Sequence, residues 1–452
     1  MATSLLFSLL LLYLSAAGDA IGVNYGTLAN NLPAPEAVAN FLKTQTTVDR
    51  VKIFDANPDI LRAFADSGIV VTVTVGNGEI VGLTDPKVAR RWVSDHIKPF
   101  HPRTRINYIA VGNEVLHWGD KFQVAKLVPA MKSLHHALLL EGIKDIKVTS
   151  PHSLGILSVS EPPSAARFRR GYDKAIFAPM LKFLTETNAP LMVNPYPYFG
   201  YNPKNPNYSL FKPNRGIHDP ATGITYTNMF DQLLDAVHIA AKSVGYGGVD
   251  LVVGETGWAS ACEWEVCSIQ NAMDYNSNLI KHVNSGKGTP LMPNRKFETY
   301  LFALFNENLK PGPLGERNWG LFQPDFTPVY DVGILRNGQK PGSGSWGKKW
   351  CVPKLEASSQ ALQANIDYVC SSGVDCKPIQ PGGPCFEPND VRSHASFVMN
   401  SFYQINGRHD YNCDFAKTGV LTTANPNLVC KRASEDQKRV LIVVRLKASW
   451  EN

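Results

Sequence analysis

At 452 residues, with 44% hydrophobic and 19% charged side chains, the chain is long enough for a large core and too apolar to be disordered. Its formal charge of +6 is spread without long basic runs, which argues against a nucleic-acid footprint and leaves a mild pull toward acidic surroundings. The length suits two domains.

The first twenty residues read as a secretory signal: residues 5–14 are largely apolar, and Ala16-Ala17-Gly18-Asp19-Ala20 supplies small residues for cleavage before Ile21. The apolar run is too short to span a bilayer, so no transmembrane helix is expected. From Ile21 to about Leu335 one pattern repeats, an apolar β-branched run followed by an amphipathic stretch. Candidate strands lie at 21–25, 51–54, 70–75, 108–111, 146–149, 191–193, 251–253 and 300–305. Helical patterns at 35–43, 58–67, 86–97, 126–140, 175–187 and 227–243 fall between them. This alternation predicts an α/β fold, a closed (β/α)8 TIM barrel. An open doubly wound sheet would favour a glycine-rich phosphate loop after the first strand, and Asn24-Tyr25-Gly26-Thr27 is not one.

Residues 194–225, rich in Pro, Asn and Tyr, are too long for a plain connection and predict an excursion over the barrel mouth. They carry the sequon Asn207-Tyr208-Ser209, expected to be exposed and glycosylated at Asn207. A Gly/Ser linker at 337–349 separates a catalytic domain, 21–336, from a cysteine-rich module, 350–431, and a tail, 432–452. The eight cysteines fit an oxidising compartment. None precedes Cys262, which with Cys267 could form a local disulfide. Six more (Cys351, Cys370, Cys376, Cys385, Cys413 and Cys430) crowd the small module, as a domain that needs staples would require, and they allow fifteen pairings. The apolar run 440–444 is too short and too basic-flanked for a lipid-anchor signal.

Active sites in such barrels sit at the carboxyl ends of the strands. The fourth strand leads into Val111-Gly112-Asn113-Glu114 and the seventh into Val253-Gly254-Glu255, so two glutamates emerge on one face. Paired carboxylates suit glycoside hydrolysis, and Asn113 could hydrogen-bond a sugar hydroxyl. A salt-bridged loop residue would be the better explanation of one such glutamate; two, each after an apolar strand and a glycine, favour catalysis. After the eighth strand come Glu307, Lys310 and Glu316, where a lysine among carboxylates can hold one ionised and another protonated. On spacing alone this cluster reads equally well as a surface ion-pair network. Tyr25, Asn194, Tyr196, Tyr198, Phe199, Trp258 and Phe305 are expected to contribute to substrate binding; Tyr196, Tyr198 and Phe199 offer faces for stacking on sugar rings, since the prolines and the polar excursion beside them argue against burial of all three. The histidines lack zinc-ligand spacing, Gly245-Tyr246-Gly247-Gly248 reads as a turn, and no Gly-x-Ser-x-Gly elbow is present. No metal or organic cofactor is expected.

The blocks Ile21-Gly22-Val23-Asn24-Tyr25-Gly26, Val111-Gly112-Asn113-Glu114, Asn194-Pro195-Tyr196-Pro197-Tyr198-Phe199, Gly254-Glu255-Thr256-Gly257-Trp258 and Phe305-Asn306-Glu307-Asn308 resemble the signatures of plant endo-1,3-β-glucanases, glycoside hydrolase family 17. The resemblance covers residues 21–335. It implies a (β/α)8 barrel and a retaining two-step mechanism, with Glu114 as proton donor, Glu255 as nucleophile and Glu307, Lys310 and Glu316 in support. Retaining pairs sit roughly 5 Å apart. The second domain resembles the family 43 carbohydrate-binding module through Trp350-Cys351-Val352, Asp367-Tyr368-Val369-Cys370, Asp375-Cys376, Gly383-Pro384-Cys385, His394-Ala395-Ser396-Phe397 and Cys413-Asp414-Phe415. That resemblance implies the pairs Cys351–Cys413, Cys370–Cys376 and Cys385–Cys430, and binding of 1,3-β-glucan helped by exposed Phe402 and Tyr403. The expectation is a secreted, monomeric cell-wall hydrolase of 1,3-β-glucan polysaccharide with no nucleic-acid partner. Its rivals are a transglycosylase using the same residues and a non-catalytic callose-binding wall protein.

Overall fold

The computed structural model describes residues 21–336, 350–372, 374–405 and 410–422; the expected signal segment, linker, Cys430 and tail lie outside the described residues. The chain divides into two compact units, one running to Pro341 and one from Gly342.

In the first unit, strands run over Ile21–Tyr25, Arg50–Ile53, Val70–Val75, Arg105–Val111, Lys147–Thr149, Pro151–Ser153, Leu191–Asn194, Leu251–Thr256 and Thr299–Leu301. All pair in parallel. Lys147–Thr149 pairs with the fourth strand and Pro151–Ser153 with Leu191–Asn194, so these two pieces are halves of one fifth strand interrupted at Ser150. The ring therefore closes, and the fold is the expected eight-stranded (β/α)8 barrel.

The third strand, Val-Val-Thr-Val-Thr-Val, shows how the two faces are built. Val71, Val73 and Val75 join the large core under the surrounding helices, while the Thr72 hydroxyl points inward to Tyr300 Oη at 3.0 Å. Inside the barrel Tyr108, Met192, Val252 and Tyr300 pack together. The helices begin where the chemistry allows: Pro35–Gln45, Pro58–Ala63 and Pro86–His96 each open on proline, the latter two capped by Asn57 and Asp85. The helix expected from residue 126 starts at Lys121, because Asp120 and Gln123 form a capping box there. Ile269–Asn284, capped by Ser268, is a further helix before the last strand.

Two expectations need correction. The eighth strand ends at Leu301 and does not run to Phe305; beyond it single bonds replace the ladder, Phe302 N donating to Thr256 O and Leu304 N to Asn24 O at 2.8 Å each. The sequon is not freely exposed. Pro206–Ser209 is a short helical turn in which Tyr208 and Ser209 are buried, and the half-buried Asn207 amide donates to Pro213 O at 2.9 Å. The excursion it belongs to also contains the antiparallel pair Ile217–Asp219 and Ile224–Tyr226.

The second unit packs helices Ser359–Ser371 and Val391–Ile405 with the antiparallel strands Trp350–Pro353 and Gly419–Thr422. Its small core includes Cys351, Leu362, Val369, Val398, Met399 and Tyr403. Cys351 is bonded to Cys413 and Cys370 to Cys376; Cys385 is disulfide-bonded as well, and its expected partner Cys430 lies outside the described residues. Among the described residues no helix is long and apolar enough to cross a membrane.

Candidate active site

Glu255 does not follow the seventh strand but lies within it, since the strand continues to Thr256. Strict alternation would place Glu255 on the helix-facing side with Val253, which packs in the outer core. Between this strand and the eighth, however, the register advances from Val253 to Thr256 on one side and only from Thr299 to Leu301 on the other. That extra residue is a bulge, and it turns Glu255 inward. There Lys52, a wholly buried lysine on the second strand, places Nζ 2.9 Å from Glu255 Oε1 and 3.4 Å from Asn24 Oδ1. The Tyr196 hydroxyl donates to Glu255 Oε2 at 3.1 Å. Gly254 leaves the necessary room, since a Cβ there would stand 2.7 Å from Met192 Cγ and 2.9 Å from Asn194 Oδ1.

Glu114 is presented by a turn at the end of the fourth strand. Gly112 (φ +67°) and Glu114 (φ +51°) both adopt left-handed backbone, which is costly for a glutamate and is held here by its neighbours. The Asn77 side chain grips the intervening peptide, accepting from Asn113 N at 2.7 Å and donating to Asn113 O at 3.0 Å. Glu114 N donates to Pro151 O at 3.0 Å. Its carboxylate accepts from Asn194 Nδ2 on Oε1 at 3.0 Å and from Trp118 Nε1 on Oε2 at 3.1 Å. Burial first, and the charge of Glu255 second, push the Glu114 carboxyl above the ordinary glutamate range, with Asn194, Trp118 and Lys52 pulling the other way.

Both glutamates face one cavity of about 910 Å³, whose lining also includes Asn113, Trp118, Asn194, Tyr196, Phe199, Phe302, Lys310, Glu316 and Trp319. Asn194, the last residue of the sixth strand, and Tyr196, two residues on, bind one glutamate each and so tie the pair to a single segment. A carboxyl biased toward its neutral form thus shares a cleft with a carboxylate compensated by a buried cation. This division suits one acid/base and one nucleophile.

The model of glycosyl hydrolases family 17 matches residues 21–334. The chain belongs to glycosyl hydrolase family 17. Residues 349–420 match the X8 domain, carbohydrate-binding module family 43. A glucan endo-1,3-beta-glucosidase of Triticum aestivum is 49% identical, the match covering 93% of this chain and 98% of that one. Glucan endo-1,3-beta-glucosidase 7 of Arabidopsis thaliana is 43% identical over 94% of this chain and 88% of its own. The solved structure of a beta-1,3-glucanase and allergen of Cryptomeria japonica pollen superposes with a TM-score of 0.67 at 44% identity, covering 70% of this chain and 99% of that one.

Within this family 17 barrel, the residues singled out from the sequence separate into two groups. Glu114, Glu255, Asn113, Asn194, Tyr196, Phe199, Lys310 and Glu316 line the cavity. Lys310 Nζ pairs with Glu316 Oε2 at 3.2 Å and lies 4.3 Å from the Phe302 ring centre. Glu307 stands behind them, buried beside Gly26, its Oε1 accepting from Leu28 N at 2.9 Å; burial holds its carboxyl up as well. Tyr25, Tyr198, Trp258 and Phe305 are buried outside the cavity lining. Trp258 is core, its indole N–H donating to Val266 O at 2.8 Å, and Tyr198 packs between Trp258 and Trp319 at 5.4 and 4.9 Å. The prolines around Tyr198 were expected to keep all three aromatics out of the core; instead the turn Pro197–Gly200 sends Tyr198 inward and Phe199 outward.

Lys52, Asn77, Trp118, Phe302 and Trp319 were missed. Lys52 had a signal, a lysine between the apolar Val51 and Ile53 of a barrel strand, where only an interior charge partner makes burial tolerable. Trp118 had one too, since it stands one helical turn after Glu114. Asn77, Phe302 and Trp319 acquire meaning only from the folded site. In the X8 unit Tyr403 is buried core and not an exposed platform, because Val391–Ile405 turns it inward. Among the described residues Tyr368 is an exposed aromatic there, with Phe402 half-buried 5.7 Å from it.

Proposed function

We propose that this chain is a secreted retaining hydrolase of internal 1,3-β-glucosidic bonds, with the X8 unit adding affinity for the same polysaccharide. The reading rests on one observation: two glutamates on facing strands share a cavity, one raised toward its neutral form and the other salt-bridged to buried Lys52. The relatives' names supply the linkage. In the first step a Glu255 oxygen bonds to the anomeric carbon as the bond to the glycosidic oxygen breaks. That oxygen keeps the electron pair and takes the proton of Glu114. In the second step Glu114, now a carboxylate, accepts a proton from water as the water oxygen bonds to the anomeric carbon and Glu255 departs. The sum is one water and one glycoside giving two shorter chains. The sulfur chemistry agrees with secretion, since Cys262–Cys267, Cys351–Cys413 and Cys370–Cys376 are all disulfides.

Product analysis on linear 1,3-β-glucan tests this reading, with Glu255→Gln as control. Internal cleavage is expected, lost in the variant while polysaccharide binding persists. Products longer than a defined starting oligosaccharide would favour transglycosylation, and an unmodified protein that binds the glucan without cutting it would remove the enzyme reading.

A further inference from the structure

The two oxygens of Glu114 are held in different ways. Oε1 accepts from Asn194, which is buried; Oε2 accepts from Trp118, which is 73% exposed although it lines the cavity. Trp118 closes the single helical turn Val115–Trp118, four residues after Glu114, so the turn itself brings the indole N–H over the carboxylate. A buried amide fixed on Oε1 leaves Oε2 as the oxygen whose partner can withdraw. With the transferable proton on Oε2, the ring beside that oxygen would lie on the side of the departing sugar. An exposed indole face at that place matches the apolar face of a glucosyl ring, and the tilted contact of Trp118 with His117, centroids 4.3 Å apart, still leaves it largely in water.

We propose that Trp118 forms the first sugar position on the leaving-group side of the scissile bond, its ring under that sugar and its N–H holding Glu114 Oε2 whenever that oxygen carries no proton. This rests on the glycosidase reading above. The N–H favours the ionised carboxylate, so Trp118 is a positioning residue that restrains the proton donor until the sugar arrives. The other charged or titratable groups around Glu114 are Glu255 and Lys52 from the barrel strands, Tyr196 after the sixth, His117 on its own turn, and Lys310 and Glu316 after the eighth.

The test compares Trp118→Ala and Trp118→Phe in the full chain on two substrates. One is a linear 1,3-β-glucan oligosaccharide; the other is a dinitrophenyl 1,3-β-oligoglucoside, whose leaving group offers no sugar and needs little acid help. For Trp118→Ala the ratio of kcat/KM, oligosaccharide over dinitrophenyl glycoside, is expected to fall at least about tenfold. For Trp118→Phe, which keeps a ring but removes the donor, the alkaline limb of kcat/KM is expected to move up by about half a pH unit or more, because a stabiliser of the ionised form is gone. An unchanged ratio, or an alkaline limb that stays in place, overturns the proposal while the glycosidase reading stands. Inactivity of the unmodified protein on both substrates overturns both.

Discussion

Lys52 Nζ lies 2.9 Å from Glu255 Oε1, with the lysine wholly out of solvent and the glutamate nearly so. Neither charge is tolerable there alone. Lys52→Met is expected to cost about 3–5 kcal/mol in denaturant unfolding, since it strands a buried carboxylate. The double variant Lys52→Met/Glu255→Gln should recover most of that loss, because neither charge of the pair is then left without its partner. A double variant as unstable as the single one would show that the pair is not the source of the cost.

Glu114 is raised by burial and then by the charge of Glu255. As the proton donor it must be neutral, so activity should decline as pH climbs through its raised pKa. In Glu255→Gln the second cause disappears and the Glu114 pKa should fall part of the way back, burial remaining; carbon-13 NMR titration of the Glu114 carboxyl reads this directly. The linkage runs in the same direction. A raised folded-state value means the stability due to Glu114 is full below the ordinary glutamate pKa, about 4.3, and is lost as pH rises through the folded value. Glu114→Gln should flatten that part of the stability–pH curve.

Gly26 has no room for a side chain: a Cβ would sit 2.4 Å from the Glu307 carboxyl carbon. Gly26→Ala must displace Glu307 from Leu28 N and should cost about 1–3 kcal/mol as overpacking. Thermal melts give the loss, and a crystal structure of the variant should show Glu307 moved. A variant of unaltered stability with Glu307 in place would contradict this account.

The Cys262–Cys267 disulfide closes a loop that braces one wall of the cavity. Glu263 Oε1 accepts from Leu314 N at 2.9 Å, and Ser260 N donates to Asn318 O at 2.9 Å. These bonds flank the turn Leu314–Arg317, which carries Glu316. Replacing both cysteines by serine should cost about 2 kcal/mol by loop entropy and lower kcat through a looser Lys310–Glu316 pair. Melting curves and kcat for the two forms check it; full activity in the serine variant would show that the brace is dispensable.

Much of this molecule was legible in one dimension. Parallel-barrel strands are apolar, β-branched and separated by amphipathic helices, so their number and most of their positions follow from short-range pattern alone; Val70–Val75 matches to the residue. A glutamate after Val-Gly at a strand end is likewise a local feature, and Glu114 and Glu255 could be paired because strand order puts them on one face. Pattern failed where a single residue's direction mattered. Alternation alone aims Glu255 at the helices, and the bulge between Val253 and Thr256 reverses it. Tyr198 and Phe199 look alike as neighbours, yet one packs on Trp258 and the other faces the cavity. The sequence by itself thus determined the barrel, the appended disulfide unit and the two carboxylates, all encoded by periodicity and local chemistry. Only the tertiary structure decided what charges and tunes them, because Lys52, Asn194 and Tyr196 reach the glutamates from 203, 80 and 59 residues away, and no periodicity in the chain records which side chains closure of the ring will bring together.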